Sequence, residues 1–281
     1  MWRYLTFVLL WALGCAAQMP QNPSPMVEHT RPHLRLRETV PPGRREPLGV
    51  GRLFLPRNFR KGRGATLLVF FHGGSWLPEV AAAQHRIAAF SIQLGAGSGT
   101  YAREFEDPSR FPALLHAAEQ AAGIRFGAVI LGGWSAGCGA VRQILSDPRS
   151  YELVHRVLCI DGIHTGYKSG KPGPLESDLE TANLAPWLKL VRDAVAGRKR
   201  FVLTHSEIFP GTFASTTETA DYLLRQAGLR RKAVLRWGPM GTQQLSEVRR
   251  GKFRLAGYAG NSAPDHVDQL HALPAYLKWL R

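Results

Sequence analysis

The sequence has little cysteine, with three residues in 281, at positions 15, 138 and 159. So few cysteines exclude a domain held together by a framework of disulfides. The spacing of cysteine and histidine also fits no zinc site, so we expect no metal and no other cofactor. Cys138 and Cys159 fall in apolar segments, where we expect two buried free thiols; a single bridge between them is the alternative.

Long hydrophobic runs are also absent, and the run at Leu5 to Leu13 is too short to cross a bilayer. It follows Arg3 and precedes small residues at positions 14–17, a pattern typical of an export signal. Cleavage after Ala17 would release a soluble protein. Alternatively, residues 12–15 resemble a bacterial lipobox, which would leave a lipid on Cys15 as the only membrane contact. Either route predicts a chain in the periplasm, the outer envelope or the medium.

Acidic residues are scarce, 21 against 36 lysines and arginines, so the formal net charge is +15. A charge of this size raises the question of nucleic-acid binding. The basic residues are scattered, however, and no recognition helix or aromatic RNA-binding motif accompanies them. We therefore expect no nucleic-acid partner.

Apolar strand-like runs alternate with amphipathic helical segments along most of the chain, without internal repeats. This order predicts an α/β fold with a mostly parallel sheet and helices on both faces. We divide the chain into a signal at 1–17, a linker with a first strand at 18–47, and one domain at 48–281. Alternating residues at 33–40 predict that first strand, and 48–56 the second.

The pentapeptide Gly133-Trp134-Ser135-Ala136-Gly137 lies between an apolar strand and an amphipathic helix. A G-x-S-x-G sequence in this context is typical of a nucleophile elbow, a sharp turn that lifts the serine above the sheet. The start of the following helix directs free N–H groups towards an oxyanion. Ser135 is therefore the candidate nucleophile.

A second motif, Phe71-His72-Gly73-Gly74-Ser75-Trp76, follows the apolar strand TLLVFF. With the elbow two strand–helix units later, the sequence from Val50 onwards resembles the α/β-hydrolase family, in particular its secreted esterases, lipases and peptidases. The resemblance implies an oxyanion hole made by backbone N–H groups of Gly73, Gly74 or Ser75 and of Ala136. The segment at 165–187 is short, so we expect a single domain without a large cap.

A catalytic triad on this fold follows the order serine, acid, histidine. His266, in the loop that opens the last helix, is the candidate base, whereas His271 falls deeper in that helix and is expected to be structural. For the acid we favour Asp161, which follows the strand after the elbow strand. Glu207, one strand later, is the alternative.

These residues predict an exported serine hydrolase that cleaves an ester through an acyl-enzyme. The same triad would serve a peptidase or amidase. A third hypothesis is a non-catalytic protein that keeps the fold and binds an anionic polymer. We assign substrate contacts to Trp134, Trp76 and His164.

Overall fold

The computed structural model describes residues 32–62, 64–168, 170 and 178–281. The predicted export signal and Cys15 lie outside the described residues, as does part of the segment at 165–187. Within the described part of the chain, no helix is long and apolar enough to cross a membrane.

One sheet of ten strands forms the centre of the molecule, in the order β1-β2-β4-β3-β5-β6-β7-β10-β9-β8. The strands are β1 (Gly43–Leu48), β2 (Gly51–Pro56), β3 (Thr66–Phe71), β4 (Ala88–Ile92), β5 (Ala128–Trp134), β6 (Arg156–Ile160), β7 (Arg200–His205), β8 (Lys232–Trp237), β9 (Gln243–Arg250) and β10 (Phe253–Tyr258). The six strands from β4 to β10 in the sheet order are parallel, and antiparallel pairs extend the sheet at both edges.

Helices follow most of the parallel strands. They are α1 (Trp76–His85), α2 (Ser98–Arg103), α3 (Arg110–Ala122), α4 (Cys138–Ser146), α5 (Pro148–Leu153), α6 (Ala185–Val195), α7 (Thr216–Gln226), α8 (Ala263–His271) and α9 (Leu273–Lys278). Short 3₁₀ segments occur at Ser135–Gly137, Thr181–Leu184 and Pro239–Gly241.

The core lies on both faces of the sheet, as the alternation of side chains along β3 shows. Leu67 and Val69 pack with residues of α3, α4, α6 and α7 on one face. Leu68 and Phe70 pack with residues of α1, α8 and α9 on the other. Because successive side chains of a strand point to opposite faces, an all-apolar strand requires helices on both sides. The predicted α/β class, with a mostly parallel sheet covered on both faces, is confirmed.

The predicted strand at 33–40 is wrong, because these residues form no strand and β1 begins at Gly43. Their alternation serves side-chain contacts instead: His33 and Arg35 both bind the carboxylate of Asp268 on α8, at 2.6 and 2.8 Å. The predicted second strand divides into the end of β1, a turn at Gly49 with φ of +55°, and β2. The hairpin of β8 and β9 was also missed, since basic and polar residues interrupt its apolar residues, and β8 lies almost wholly exposed at the edge of the sheet.

Candidate active site

Three strained residues mark one edge of the sheet. His72, Ser135 and Asp161 directly follow β3, β5 and β6, which are neighbours in the sheet, and their φ angles are +71°, +49° and +44°. A positive φ on a residue other than glycine costs roughly 1–3 kcal/mol and persists where the surroundings impose it. Three such residues at adjacent parallel strand ends indicate a functional site.

Ser135 lies on a sharp turn between β5 and the 3₁₀ segment that leads into α4. The turn requires glycine at position 137, where a Cβ would lie 2.1 Å from the carbonyl oxygen of Phe71. Gly162 makes a similar approach from the next strand end, because its Cβ would lie 2.5 Å from the carbonyl oxygen of Ser135. The serine and the acid segment are therefore in close backbone contact.

The structure brings Asp161 and His266 together across 105 residues of sequence, with Nδ1 of His266 2.7 Å from Oδ2 of Asp161. His266 lies on α8, and its side chain remains 21% exposed while that of Asp161 is 1% exposed. The imidazole can thus accept a proton on its other nitrogen while the buried carboxylate fixes its orientation.

Three further hydrogen bonds hold the Asp161 carboxylate. The backbone N–H and the hydroxyl of Ser206 donate at 2.8 and 2.7 Å, and the hydroxyl of Thr216 donates at 2.7 Å. Burial by itself would raise the pKa of Asp161, but the hydrogen bond and charge of His266 and the two hydroxyls together hold its pKa well below the usual range. Asp161 is therefore a carboxylate throughout the neutral range.

Glu207, the alternative acid, is placed differently. Its residue is exposed, its backbone N–H donates to Gly260 at 2.9 Å, and in the described part of the chain its carboxylate forms no hydrogen bond with His266. Partial burial raises its pKa. The geometry therefore pairs the histidine with Asp161.

The loop after β3 carries the predicted oxyanion donors. Gly73 has a φ of +95°, and a Cβ there would lie 2.8 Å from the side chain of Leu270. The hydroxyl of Ser75 accepts a hydrogen bond of 2.6 Å from Arg52, which also pairs with the buried carboxylate of Glu79 at 2.8 Å. These contacts tie the loop to β2 and to α1.

Trp134, which the sequence predicts to contact substrate, packs between two histidines. Its ring is stacked on His72 at 4.9 Å and lies 4.6 Å from the ring of His266. Its Nε1–H donates to the backbone oxygen of His266 at 3.1 Å. This contact helps to position the start of α8, which carries His266. Trp76 makes an edge contact with His271 at 5.6 Å and is not among the described residues that line the two cavities at Ser135.

Two cavities meet at Ser135. The larger, of about 470 Å³, is lined by Ala136, Arg142, Thr165 and Asn183 among others. The smaller, of about 200 Å³, contains Asp161 and His266 and has an apolar wall of Ile208, Pro210, Phe213 and Ala263. Ser135 thus lies between a larger cavity of mixed polarity and a smaller, mainly apolar one.

His164 lines both cavities, in agreement with its predicted position beside the site. Its Nδ1 is buried and has no hydrogen-bond partner within the described ranges. Burial lowers the pKa of His164 to about 4. The charge of Asp161 raises this pKa, and the charge of His266 lowers it. His164 is therefore neutral at pH 7 and offers a polar ring atom beside Ser135.

The expectation of two free thiols is wrong, because Cys138 and Cys159 form a disulfide. Cys159 lies on β6 opposite Gly133, at the end of β5, and the turn at Ser135 brings Cys138 back over that strand pair. The two Cα atoms are 6.3 Å apart, within the range that a disulfide spans. Twenty-one residues of separation hide this proximity in the sequence.

The hydroxyls that bind Asp161 and the basic residue in the larger cavity were not predicted from the sequence. Ser206 and Thr216 follow β7, and only the tertiary structure places them around the acid. The position of Arg142 could have been predicted, because it follows Cys138 by one helical turn and therefore lies on the same face of that helix.

One group of residues has the geometry of a metal site: ligand atoms of His33, Asp265 and Asp268 lie within 4.8 Å of one another. The carboxylate of Asp268, however, already binds the guanidinium of Arg35 at 2.8 Å. A cationic neighbour on the same carboxylate does not suit a metal ion. This group fastens residues 33–35 to α8.

No protein-family model and no curated protein matches the chain. Among solved structures it is similar to LpqC, a poly(3-hydroxybutyrate) depolymerase from Bordetella parapertussis (14% identity, 81% of this chain and 84% of that one, TM-score 0.47). It is similar to an α/β-hydrolase enzyme from the metagenome of Lake Arreo, Spain (15% identity, 90% and 94%, TM-score 0.49). It is also similar to a hormone-sensitive lipase from a metagenome library (13% identity, 88% and 88%, TM-score 0.48).

Proposed function

We propose that the chain is a serine hydrolase of the α/β-hydrolase type that cleaves carboxylic esters, with Ser135, His266 and Asp161 as its triad. The observation that carries the proposal is the pairing of His266 with a buried, ionised Asp161 at 2.7 Å, in a cavity that also contains Ser135 on its strained turn. A nucleophile, a base and an orienting acid in this arrangement perform acyl transfer on several unrelated folds.

In the proposed reaction, His266 takes the proton of the Ser135 hydroxyl while the Ser135 oxygen attacks the ester carbonyl. Backbone N–H groups of Ala136 and of residues 73–75 stabilise the oxyanion. The protonated imidazole then donates its proton to the leaving alcohol, and an acyl-enzyme remains. Water, activated by His266, attacks this ester, releases the acid and restores Ser135.

The carboxylate of Asp161 would hold one tautomer of His266 and stabilise the imidazolium that forms after proton transfer. The low pKa of Asp161 supports this role, because a group that stays ionised can offset the positive charge at each turnover. The contact of Trp134 with the backbone of His266 supports a positioning role for that ring.

We further propose that the protein acts after export. The Cys138–Cys159 disulfide supports this, since such bonds persist mainly in oxidising compartments. Recovery of the native protein from the cytosol with both thiols free and residues 1–17 still attached would contradict export.

The nucleophile is tested with Ser135→Ala. We expect activity on a short-chain activated ester to fall about 10⁴- to 10⁶-fold, because the acyl-enzyme can no longer form. A fluorophosphonate probe should label the parent and leave the variant unlabelled. Folding should be unchanged, as judged by the thermal unfolding midpoint.

The matched control is Ser146→Ala, at the exposed end of the helix that follows the elbow. This variant should retain labelling and activity. Equal labelling of the parent and of Ser135→Ala would refute the assignment of Ser135.

A further inference from the structure

Among the described residues, a single charged side chain lines the larger cavity beside Ser135. Of the described residues that line it, Arg142 alone is charged at pH 7, since His164 is neutral and the others are small, apolar or uncharged polar residues. A guanidinium in the wall of a cavity that contains the nucleophile can determine which ester binds there.

Arg142 is half-buried and lacks an acidic partner within the described ranges. Its guanidinium donates to the amide oxygen of Asn183, and no carboxylate of the described residues lies within ion-pair distance. Burial lowers the pKa of Arg142, because the guanidinium loses part of its water there. A half-buried guanidinium whose hydrogen bond within the described ranges goes to a neutral amide keeps donors available for an anion.

The position of Arg142 also suits contact with the substrate. It lies seven residues after Ser135, about two helical turns away, and helical side chains point back towards the N-terminus of their helix. Both residues line the same cavity. A group bound at Arg142 would therefore occupy the same cavity as the scissile carbonyl.

The space on the other side of Ser135 has a different character. It is smaller, about 200 Å³, and its outer wall is formed by Ile208, Pro210, Phe213 and Ala263. The two spaces together fit an ester with unlike ends.

We infer that the substrate is an ester with an anionic oxygen group, a carboxylate or a phosphate, at one end, bound by Arg142, and a small apolar group on the other side of the scissile bond. This inference rests on the proposed ester hydrolysis. The planar fork of arginine matches either anion through two parallel hydrogen bonds.

The test compares esters that differ only in a terminal group. Monoethyl glutarate is compared with ethyl pentanoate, where the charge is on the acyl side. Butyl acetate is compared with its analogue carrying a terminal carboxylate, where the charge is on the alcohol side. We expect the parent to prefer the charged ester of at least one pair, measured as the ratio of kcat/KM values.

Arg142→Gln should lower that ratio about 10- to 100-fold, because a charge-assisted hydrogen bond is lost. The ratio corrects for any general loss of activity. The matched control is Arg149→Gln, an exposed arginine on α5 outside the cavity, which should keep the ratio of the parent. If Arg142→Gln fails to fold, Asn183→Asp replaces it in the test. This variant leaves Arg142 in place but supplies a competing carboxylate, so it should also lower the ratio.

A direct measurement separates binding from catalysis. Calorimetry on Ser135→Ala with glutarate, and separately with inorganic phosphate, should show binding that is lost in Ser135→Ala/Arg142→Gln. The relative affinities distinguish the two anions. The parent could hydrolyse none of the four esters while anions still bind in an Arg142-dependent way. That result would support the anion site and refute ester hydrolysis.

The opposite result is equally informative. Hydrolysis of both members of each pair at similar rates, or equal loss of the preference in Arg142→Gln and Arg149→Gln, would retain the hydrolase and overturn the anion site. In the second of these outcomes, the preference would be an effect of the overall positive charge.

Discussion

At the scale of single residues, the acid of the proposed triad is distinguished by its hydrogen bonds. Asp161 accepts from His266, from Thr216 and twice from Ser206, and it is almost completely buried. A buried carboxylate with this many donors is both ionised and fixed in orientation. Glu207 is exposed, and within the described part of the chain no hydrogen bond joins its carboxylate to the imidazole.

Asp161→Asn is therefore expected to lower kcat by about 10⁴-fold with little change in KM, because the amide favours the wrong tautomer of His266. Glu207→Gln is the matched control and should retain most of the parent activity. Steady-state kinetics on one short-chain ester measures both. A severe loss in Glu207→Gln together with an active Asp161→Asn would reverse the assignment.

At the scale of elements, the disulfide joins the two segments that carry the nucleophile and the acid. Cys138 begins α4, three residues after Ser135, and Cys159 lies on β6, two residues before Asp161. The bridge thus adds a covalent link to the backbone contact between Gly162 and Ser135. It restrains the unfolded chain in a loop of moderate length.

The double variant Cys138→Ala/Cys159→Ala should lose about 3 kcal/mol of unfolding free energy, the value expected for a loop closed by residues 21 apart. Denaturant unfolding of the parent with and without a thiol reductant gives an independent estimate. Reductant should destabilise the parent and leave the double variant unchanged. A parent insensitive to reductant after unfolding and refolding would show that the bridge contributes no stability.

At the scale of the whole molecule, burial lowers the pKa of many histidines. The affected residues are His72, His85, His155, His164, His205 and His271. The largest shifts bring His164 and His205 to a pKa of about 4. His205 is buried with its Nε2 2.6 Å from the guanidinium of Arg231, which opposes a second positive charge.

A lowered pKa in the folded state means that the unfolded chain binds more protons between pH 6.5 and 4. Unfolding free energy should therefore be fully present above about pH 6.5 and fall as the pH decreases towards 4. For His205 alone the loss amounts to about 3 kcal/mol, since one pKa unit corresponds to about 1.4 kcal/mol.

Denaturant unfolding across this pH range checks the expectation. His205→Gln should show a shallower decline than the parent, because it removes one titrating group. His116→Gln, at an exposed position on α3, should follow the parent curve. Parallel curves for all three proteins would contradict a neutral, buried His205.

The parts of the fold that the sequence predicted are those specified by local patterns. The helix at Arg110–Ala122 and the apolar strand before Ser135 show their periodicity within a dozen residues. The edge hairpin was misjudged because basic and polar residues interrupt its apolar ones, and β1 because an alternating loop before it binds side chains instead of a sheet.

The sequence by itself determined the α/β class and the candidates for nucleophile, base and acid, because strand ends and glycine turns are visible in consecutive residues. Only the tertiary structure decided which acid meets His266, which cysteines pair, and where Arg142 lies relative to Ser135. These relations join residues distant along the chain. They depend on the order of strands in the sheet, which brings β3, β5 and β6 together and directs their carboxyl ends to one edge.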